Sequence, residues 1–258
     1  MKIFKRLNLI RYYMEGLLFR RSTYSEELLK LKNSWAGKPA IIVGNGPSLR
    51  KTPLDEFSGV NSIGMNKINL IFDDVIWRPS IITVVNRHVI DQNRDFYCRS
   101  NIPIFIAWQN RYFLRKIKTP KNIKFFLNSN KLYFSEAFDQ EAGAGATVTF
   151  KALQLAYFLG ANPVIIVGVD HTFQAAGEAH KLVKKIGDDQ DHFHPNYFAD
   201  GVKWNLPDLD TSELGYKLAL EEFVKKGRII LDATVGGKLD IFPKVSIEEA
   251  LKILHKKS

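Results

Sequence analysis

Several short polar stretches hold the residues able to do chemistry. Gly44-Asn45-Gly46-Pro47-Ser48 follows the apolar run Ala40–Val43 directly. Its glycines let the backbone turn tightly, and the exposed N–H groups of a helix start there would favour a phosphate or carboxylate. It is neither Gly-x-Gly-x-x-Gly nor a P-loop, because no Gly-Lys-Ser/Thr follows. Asn66 ends the next apolar run and carries both donors and acceptors, which suits reading a base or ribose. Asn86 repeats that placement after Ile81–Val85, so the two asparagines and the first turn are expected to share one pocket. Gly143-Ala144-Gly145-Ala146-Thr147 opens a strong helix pattern; it leaves backbone donors for an anion, or lets helix and sheet pack closely. Asp170 and His171 follow the run Val164–Val167. At a strand end Asp170 can orient a ribose, a metal or an acceptor, or cap the next segment.

A second group lies in a polar segment, Asp191-His192-Phe193-His194-Pro195-Asn196-Tyr197-Phe198. Histidine titrates near neutrality, so His192 or His194 could take the proton of a hydroxyl acceptor. No His-Glu-x-x-His or cysteine cluster accompanies them, and no metal site is expected. Asp208-Leu209-Asp210 imitates a metal-binding Asp-x-Asp and is discounted as a chance triplet. The acidic Asp188-Asp189-Asp191 reads as a solvated loop or a cation site.

The elements that must position these residues alternate. Strand patterns at Ala40–Val43, Val60–Met65, Ser80–Val85, Ile102–Ala107, Val164–Val167 and Arg228–Leu231 are separated by helical stretches. The clearest helix runs Thr147–Leu159 with Gly160 as its C-cap, and a second runs Thr211–Lys226, capped by Thr211 or Ser212. Such alternation predicts an α/β fold with a parallel sheet covered on both faces. Gln174–Leu209 has no clear period and reads as a lid or insertion. Residues 1–37 form a basic amphipathic helical extension to a domain over 38–258. Ile3, Leu7, Ile10, Met14, Leu17 and Leu18 share one helical face, suited to an anionic membrane or to docking on the domain.

At 258 residues the chain is long enough for a substantial core, and its 45% apolar and 25% charged residues are ordinary for a globular protein. The single cysteine, Cys98, excludes an intramolecular disulfide and fits a reducing compartment. The start shows no signal-peptide pattern and no run approaches a membrane span. The expected location is therefore cytoplasmic, peripheral on the inner membrane face if the basic helix meets lipid. The net charge of +10 favours anionic partners, but no basic–aromatic module argues for specific nucleic acid. Oligomeric state is not legible.

Taken in order, "IIVGNGPSL", "GMNKINLIF", "GAGATVTFKALQLAYFLGANPVIIVGVDHTF", "HFHPNYF" and "LDATVGGKLDIFPKV" resemble a bacterial Rossmann-like family of 6-hydroxymethylpterin diphosphokinase-like (MptE-like) proteins. More distantly they resemble the single-domain CMP-sialic acid sialyltransferases. The likeness covers roughly Lys38 to Val245 and implies a Rossmann-like domain. It implies Asn45 and Asn66 as CMP contacts, with Gly44, Gly46 and Ser48 shaping the turn and Gly145 and Thr147 beside the nucleotide. It implies Asp170 at the reacting centre, and a downstream catalytic histidine, for which His194 is preferred over His192. Asn86, His171 and Tyr197 would meet substrate.

Two departures qualify the likeness. The Arg-x-Thr-Ser-Gly stretch of the sialyltransferases is missing at Glu141–Ala146, and His171-Thr172-Phe173 stands where they carry tyrosines. The leading expectation is a glycosyltransferase for the cell envelope. It would move an acidic sugar from a CMP-linked donor to a glycan or lipid-linked acceptor and require no cofactor. The alternatives are a pyrophosphoryl transferase using ATP and Mg²⁺ on a pterin alcohol, and a non-catalytic nucleotide- or glycan-binding module.

Overall fold

The computed structural model describes residues 2–114, 120–172, 177–179 and 181–256, with only the backbone described over 2–9. The expected side chains of Ile3 and Leu7, with Phe173, lid residues 174–176 and His180, lie outside the described residues.

Seven strands form a wholly parallel sheet: β1 (Ala40–Val43), β2 (Asn61–Met65), β3 (Ile81–Val84), β4 (Ile104–Ala107), β5 (Ile123–Phe126), β8 (Val164–Val167) and β11 (Ile230–Asp232). Their spatial order is β11-β8-β1-β2-β3-β4-β5. Every residue of β1, β3, β4 and β8 is buried, which is why these strands read as unbroken apolar runs. The chain steps from β1 outward to β5 and then returns to lay β8 on the other side of β1. Strand order thus reverses between β1 and β8, and the crevice beyond their carboxyl ends is where such sheets bind ligands.

The helices are α1 (Lys2–Arg20), α2 (Thr23–Leu29), α3 (Arg87–Gln92), α4 (Arg94–Arg99), α5 (Val148–Leu159), α6 (Leu209–Lys225) and α7 (Ile247–His255). Helix α5 is the central one. Thr147 caps its start, Gly160 ends it at φ 89°, and all its residues from Thr149 to Leu159 are buried between sheet and α6. Helix α6 begins at Leu209, earlier than its sequence pattern, because Asp208 accepts from Thr211 N–H at 2.9 Å. The Asp-x-Asp triplet is thus in part a helix cap.

Two small sheets complete the fold. The pair β6 (Asn128–Leu132) and β7 (Ala142–Ala144) is parallel, whereas β9 (Leu182–Lys184) and β10 (Lys203–Asn205) form an antiparallel hairpin in the long polar segment. The extension is docked on the β4–β5 side of the sheet. Phe19 meets Trp108, Tyr24 meets Phe125 edge-on at 4.9 Å, and buried Glu15 accepts from Trp108 Nε1 at 2.8 Å and pairs with Arg111 at 2.8 Å. The opposite side of α1 leaves Ile10, Tyr13, Met14 and Leu18 at least half exposed. No helix among the described residues is long and apolar enough to cross a membrane.

Candidate functional site

The turn after β1 is built around Asp170. Its two carboxylate oxygens accept from Ser48 N–H at 2.9 Å and from Ser48 Oγ at 2.7 Å. The anion expected at this helix start is therefore the protein's own. Both glycines are required by that approach: a Cβ on Gly46 would lie 1.8 Å from Asp170 Oδ2, and one on Gly44 would lie 2.1 Å from the Gly168 carbonyl. The helix start at Thr147 that sequence suggested for an anion, and the Asn86 strand end, are also capped from within. Asn86 Oδ1 accepts from His88 N–H at 2.8 Å, and the Thr147 hydroxyl accepts from Thr149 N–H at 3.2 Å. Gly145 sits where a Cβ would strike the Phe150 ring, so its small size serves helix–sheet packing.

What the turn leaves for a ligand is side-chain chemistry. Asn45 donates through Nδ2 to the Met65 carbonyl at 3.0 Å, tying the ends of β1 and β2, and this fixes Oδ1 as a buried acceptor with no hydrogen bond. Asn66, held at φ 49°, likewise has an unbonded, buried Oδ1, and the Tyr197 hydroxyl beside it makes no hydrogen bond of ordinary geometry. Burial pushes the Tyr197 phenol well above its usual range, so it remains a neutral O–H donor. These groups converge on one cavity of about 150 Å³ at the β1/β8 crevice, whose wall also includes Gly44, Gly46, Thr147, Asp170, His171 and His192. Buried polar atoms without partners are uncommon, and several around one cavity mark a place for a polar ligand.

The lid brings His192 to this cavity and leaves His194 away from it, on a separate surface hollow with Arg50 and Asp74. Geometry thus favours the histidine that sequence ranked second. His192 Nδ1 meets Asp189 Oδ2 at 2.9 Å, and its ring stacks on Tyr197 at 3.9 Å with planes 4° apart. Burial alone would raise the Asp189 carboxyl, but His192, Asp191 N–H and Lys185 together hold it below the usual range. An ionised Asp189 accepts from Nδ1–H and so orients the imidazole in that tautomer. The acidic cluster around 188–191 therefore orients an imidazole. Asp189 further accepts from Phe198 N–H at 3.1 Å.

Main-chain and lysine contacts latch the lid. Phe193 N–H donates to the Asn45 carbonyl at 2.9 Å, and Arg50 Nε donates to the Phe193 carbonyl at 2.5 Å. Lys67 Nζ donates to the Tyr197 carbonyl at 2.7 Å and sits 5.2 Å from the Phe198 ring centre. Burial lowers Lys67 to about 8, with Asp189 opposing the shift. Lys67 was not singled out in the sequence, although it directly follows Asn66, and Asp189 stood there only as part of an acidic cluster. On the other side of the cavity, His171 Nε2 meets Glu213 at 3.0 Å, joining the β8 loop to α6.

A larger cavity of about 540 Å³ adjoins the first and shares Asn66, Thr147, His192 and Tyr197 with it. Asn86 and Gly145 line this second space and not the first. Among the described residues no group of three or more His, Cys, Asp or Glu could hold a metal. Asp170 spends both carboxylate oxygens on Ser48, and Asp189 engages His192 through Oδ2.

No curated protein matches the chain. Residues 19–176 match the family model described as 6-hydroxymethylpterin diphosphokinase MptE-like, a description of a nucleotide-dependent transferase. The match takes in Phe19 and α2, which the sequence likeness had left outside, and ends within the lid. Spanning more than half of the chain and every strand whose end borders the first cavity, it shows that the chain belongs to the MptE-like family.

Proposed function

We propose that this protein is a glycosyltransferase that moves an acidic sugar from a CMP-linked donor to a hydroxyl of a glycan or lipid-linked acceptor. The observation that carries the reading is the convergence of Asn45 Oδ1, Asn66 Oδ1 and the Tyr197 hydroxyl on one cavity beside the Asp189–His192 pair. Amide oxygens accept from an exocyclic amine or ribose hydroxyls, and the phenol donates to a phosphate oxygen. The acceptor oxygen attacks the anomeric carbon while the bond from that carbon to the phosphate oxygen breaks, its electron pair leaving with CMP. His192 Nε2 takes the hydroxyl proton, and Asp189 stabilises the imidazolium that forms. Asp170 acts at one remove, by fixing the turn that carries Asn45. No metal is required in this scheme; Lys67 and the lid's donors supply positive potential near the departing phosphate.

Thermal stabilisation by CMP, UMP, GMP and ATP, each with and without Mg²⁺, tests the reading. Stabilisation by CMP without Mg²⁺, lost in Asn45→Ala, is the expected result. The family description favours a second reading, pyrophosphate transfer from ATP to a pterin alcohol. Stabilisation by ATP only when Mg²⁺ is present would select it and overturn the first. Silence with every nucleotide would leave a glycan-binding module.

The exposed Ile10, Tyr13, Met14 and Leu18, with Arg11, Arg20 and Arg21 beside them, support a peripheral position of α1 on an anionic bilayer. Co-sedimentation with phosphatidylglycerol vesicles but not phosphatidylcholine vesicles is expected, and equal recovery with both would remove this part.

A further inference from the structure

The second cavity contains a buried cation that the mechanism does not use. Lys151 lies one turn into α5, an otherwise almost wholly apolar helix, and is 3% exposed. Its Nζ donates to the Gly143 carbonyl and reaches the Ala142 carbonyl at 3.4 Å. Those carbonyls do not explain a lysine. Gly143 O already accepts from Gln154 Nε2 at 3.0 Å, and the chain could satisfy it with far less desolvation. Among the described residues no carboxylate lies within ion-pair distance of Lys151. The nearest acid, Glu141, acts on it only at longer range. Lys151 thus sets an amine on the cavity wall with no ion-pair partner among the described residues, and an anionic group beside it would favour its charged form.

The rest of the wall is equally specific. Asn86, Asn128 and Asn205 bring amides, and Asn128 Oδ1 is buried without a hydrogen bond. Phe198 and Trp204, which also line the cavity, stack 5.3 Å apart with planes 26° from parallel and give it an apolar aromatic surface. Amides and an aromatic face suit a ring rich in hydroxyls, with polar edges and an apolar side. His192 stands between this space and the first cavity, where a base must meet an acceptor hydroxyl.

We infer that the second cavity is an acceptor subsite selective for a hydroxyl-rich ring bearing an anionic group, a carboxylate or a phosphate monoester, which Lys151 receives. The inference rests on the transferase reading for its role, but not for its binding chemistry. Lys151 is a specificity residue here and takes no part in proton transfer. The acceptor that satisfies it is itself acidic, so the product of one transfer onto a charged glycan has the chemistry of a substrate for the next.

Binding of methyl glucoside, methyl glucuronide and glucose 6-phosphate, measured by calorimetry with and without CMP, tests this. One anionic probe is expected to bind at least about tenfold more tightly than the neutral one, the worth of one charge-assisted hydrogen bond. Lys151→Met should bring the probes to parity and leave CMP affinity unchanged. The relative strength of glucuronide and glucose 6-phosphate identifies the anion. Equal binding of charged and neutral probes, no binding by any, or discrimination that survives in Lys151→Met would overturn the subsite. Should that variant not fold, the wild-type protein labelled with ¹³C at lysine Cε decides. The Lys151 resonance should move with an anionic probe and not with the glucoside, and an unmoved resonance overturns the proposal. Discrimination without any CMP binding would sink the CMP reading and leave this subsite standing; CMP binding without discrimination would do the reverse.

Discussion

The two halves of the site are built by opposite means. The strand-end half, Gly44–Ser48 with Gly168–Asp170, is locked by covalent economy and short contacts: glycines where no Cβ fits, and a carboxylate with both oxygens engaged. The lid half has little core of its own beyond an aromatic group around His192, Tyr197, Phe198 and Trp204. Of these, Tyr197, Phe198 and Trp204 join the main core, and single hydrogen bonds from Phe193, Arg50 and Lys67 add the polar ties. A rigid cradle can preorganise the recognition of one ligand, while a separate cover can admit a second and close over both. In the proposed reaction, binding falls to the strand ends and proton transfer to the lid.

The sharpest way to break that division is His192→Ala. Turnover is expected to fall about 10²–10⁴-fold, with CMP affinity nearly unchanged, whereas His194→Ala should leave both near wild type. Steady-state kinetics beside calorimetry separates these outcomes; a larger loss from His194→Ala would invert the assignment. Next in size are two substitutions on the strand-end side. Asn45→Ala should weaken CMP binding about 10- to 100-fold with a small change in stability. Asp170→Ala should instead lower stability by about 2 kcal/mol, read by denaturant unfolding, because Ser48 loses the acceptor for both its N–H and its hydroxyl. If Asp170→Ala kept full stability, the cradle would not be locked as described.

Smaller effects probe the latch and the buried cation. Lys67→Met should raise amide exchange over the lid hairpin β9–β10 and leave β1 and β8 protected; uniform loss of protection would show that lid and sheet open together. Lys151 binds its proton more weakly in the folded protein, at about 7, than in the unfolded chain at its ordinary 10.5. The unfolded state therefore holds more protons between those values, and stability from this group rises with pH across that window. Lys151→Met removes the contribution, so the melting temperature of the variant relative to wild type should be highest near pH 6 and decline towards pH 9. A pH-independent difference would mean that Lys151 is not desolvated as its surroundings indicate.

Much of the fold was legible because its strands are buried on both faces. β1 and β8 coincide with their apolar runs, and Thr147 and Gly160 bound α5 as their chemistry requires. β5 escaped because Lys124 interrupts it and polar residues surround it, although Lys124 only reaches out to pair with Glu27 at 2.6 Å. In the site, the residues near the crevice were visible and their partners were not. Asn45, Asn66 and Asp170 stand at strand ends, where position alone implicates them. That Asp170 turns back onto Ser48, or that Asp189 reaches His192 rather than solvent, depends on where loops fold, and no periodicity encodes it. Lys151 did leave a trace: a charge inside the apolar run Val148–Leu159 of a helix whose other side is also buried.

The docking of α1 and α2 has a consequence for how the chain is made. Glu15 finds Trp108 and Arg111 more than 90 positions later, and Tyr24 finds Phe125. At ribosomal rates of about 5–20 residues per second, the first helix waits roughly 5–20 s for the surface it will cover. Over that interval both its faces are open, the one later claimed by the domain and the one carrying Ile10, Met14 and Leu18. During that interval a chaperone or a nearby bilayer has an open amphipathic helix to hold.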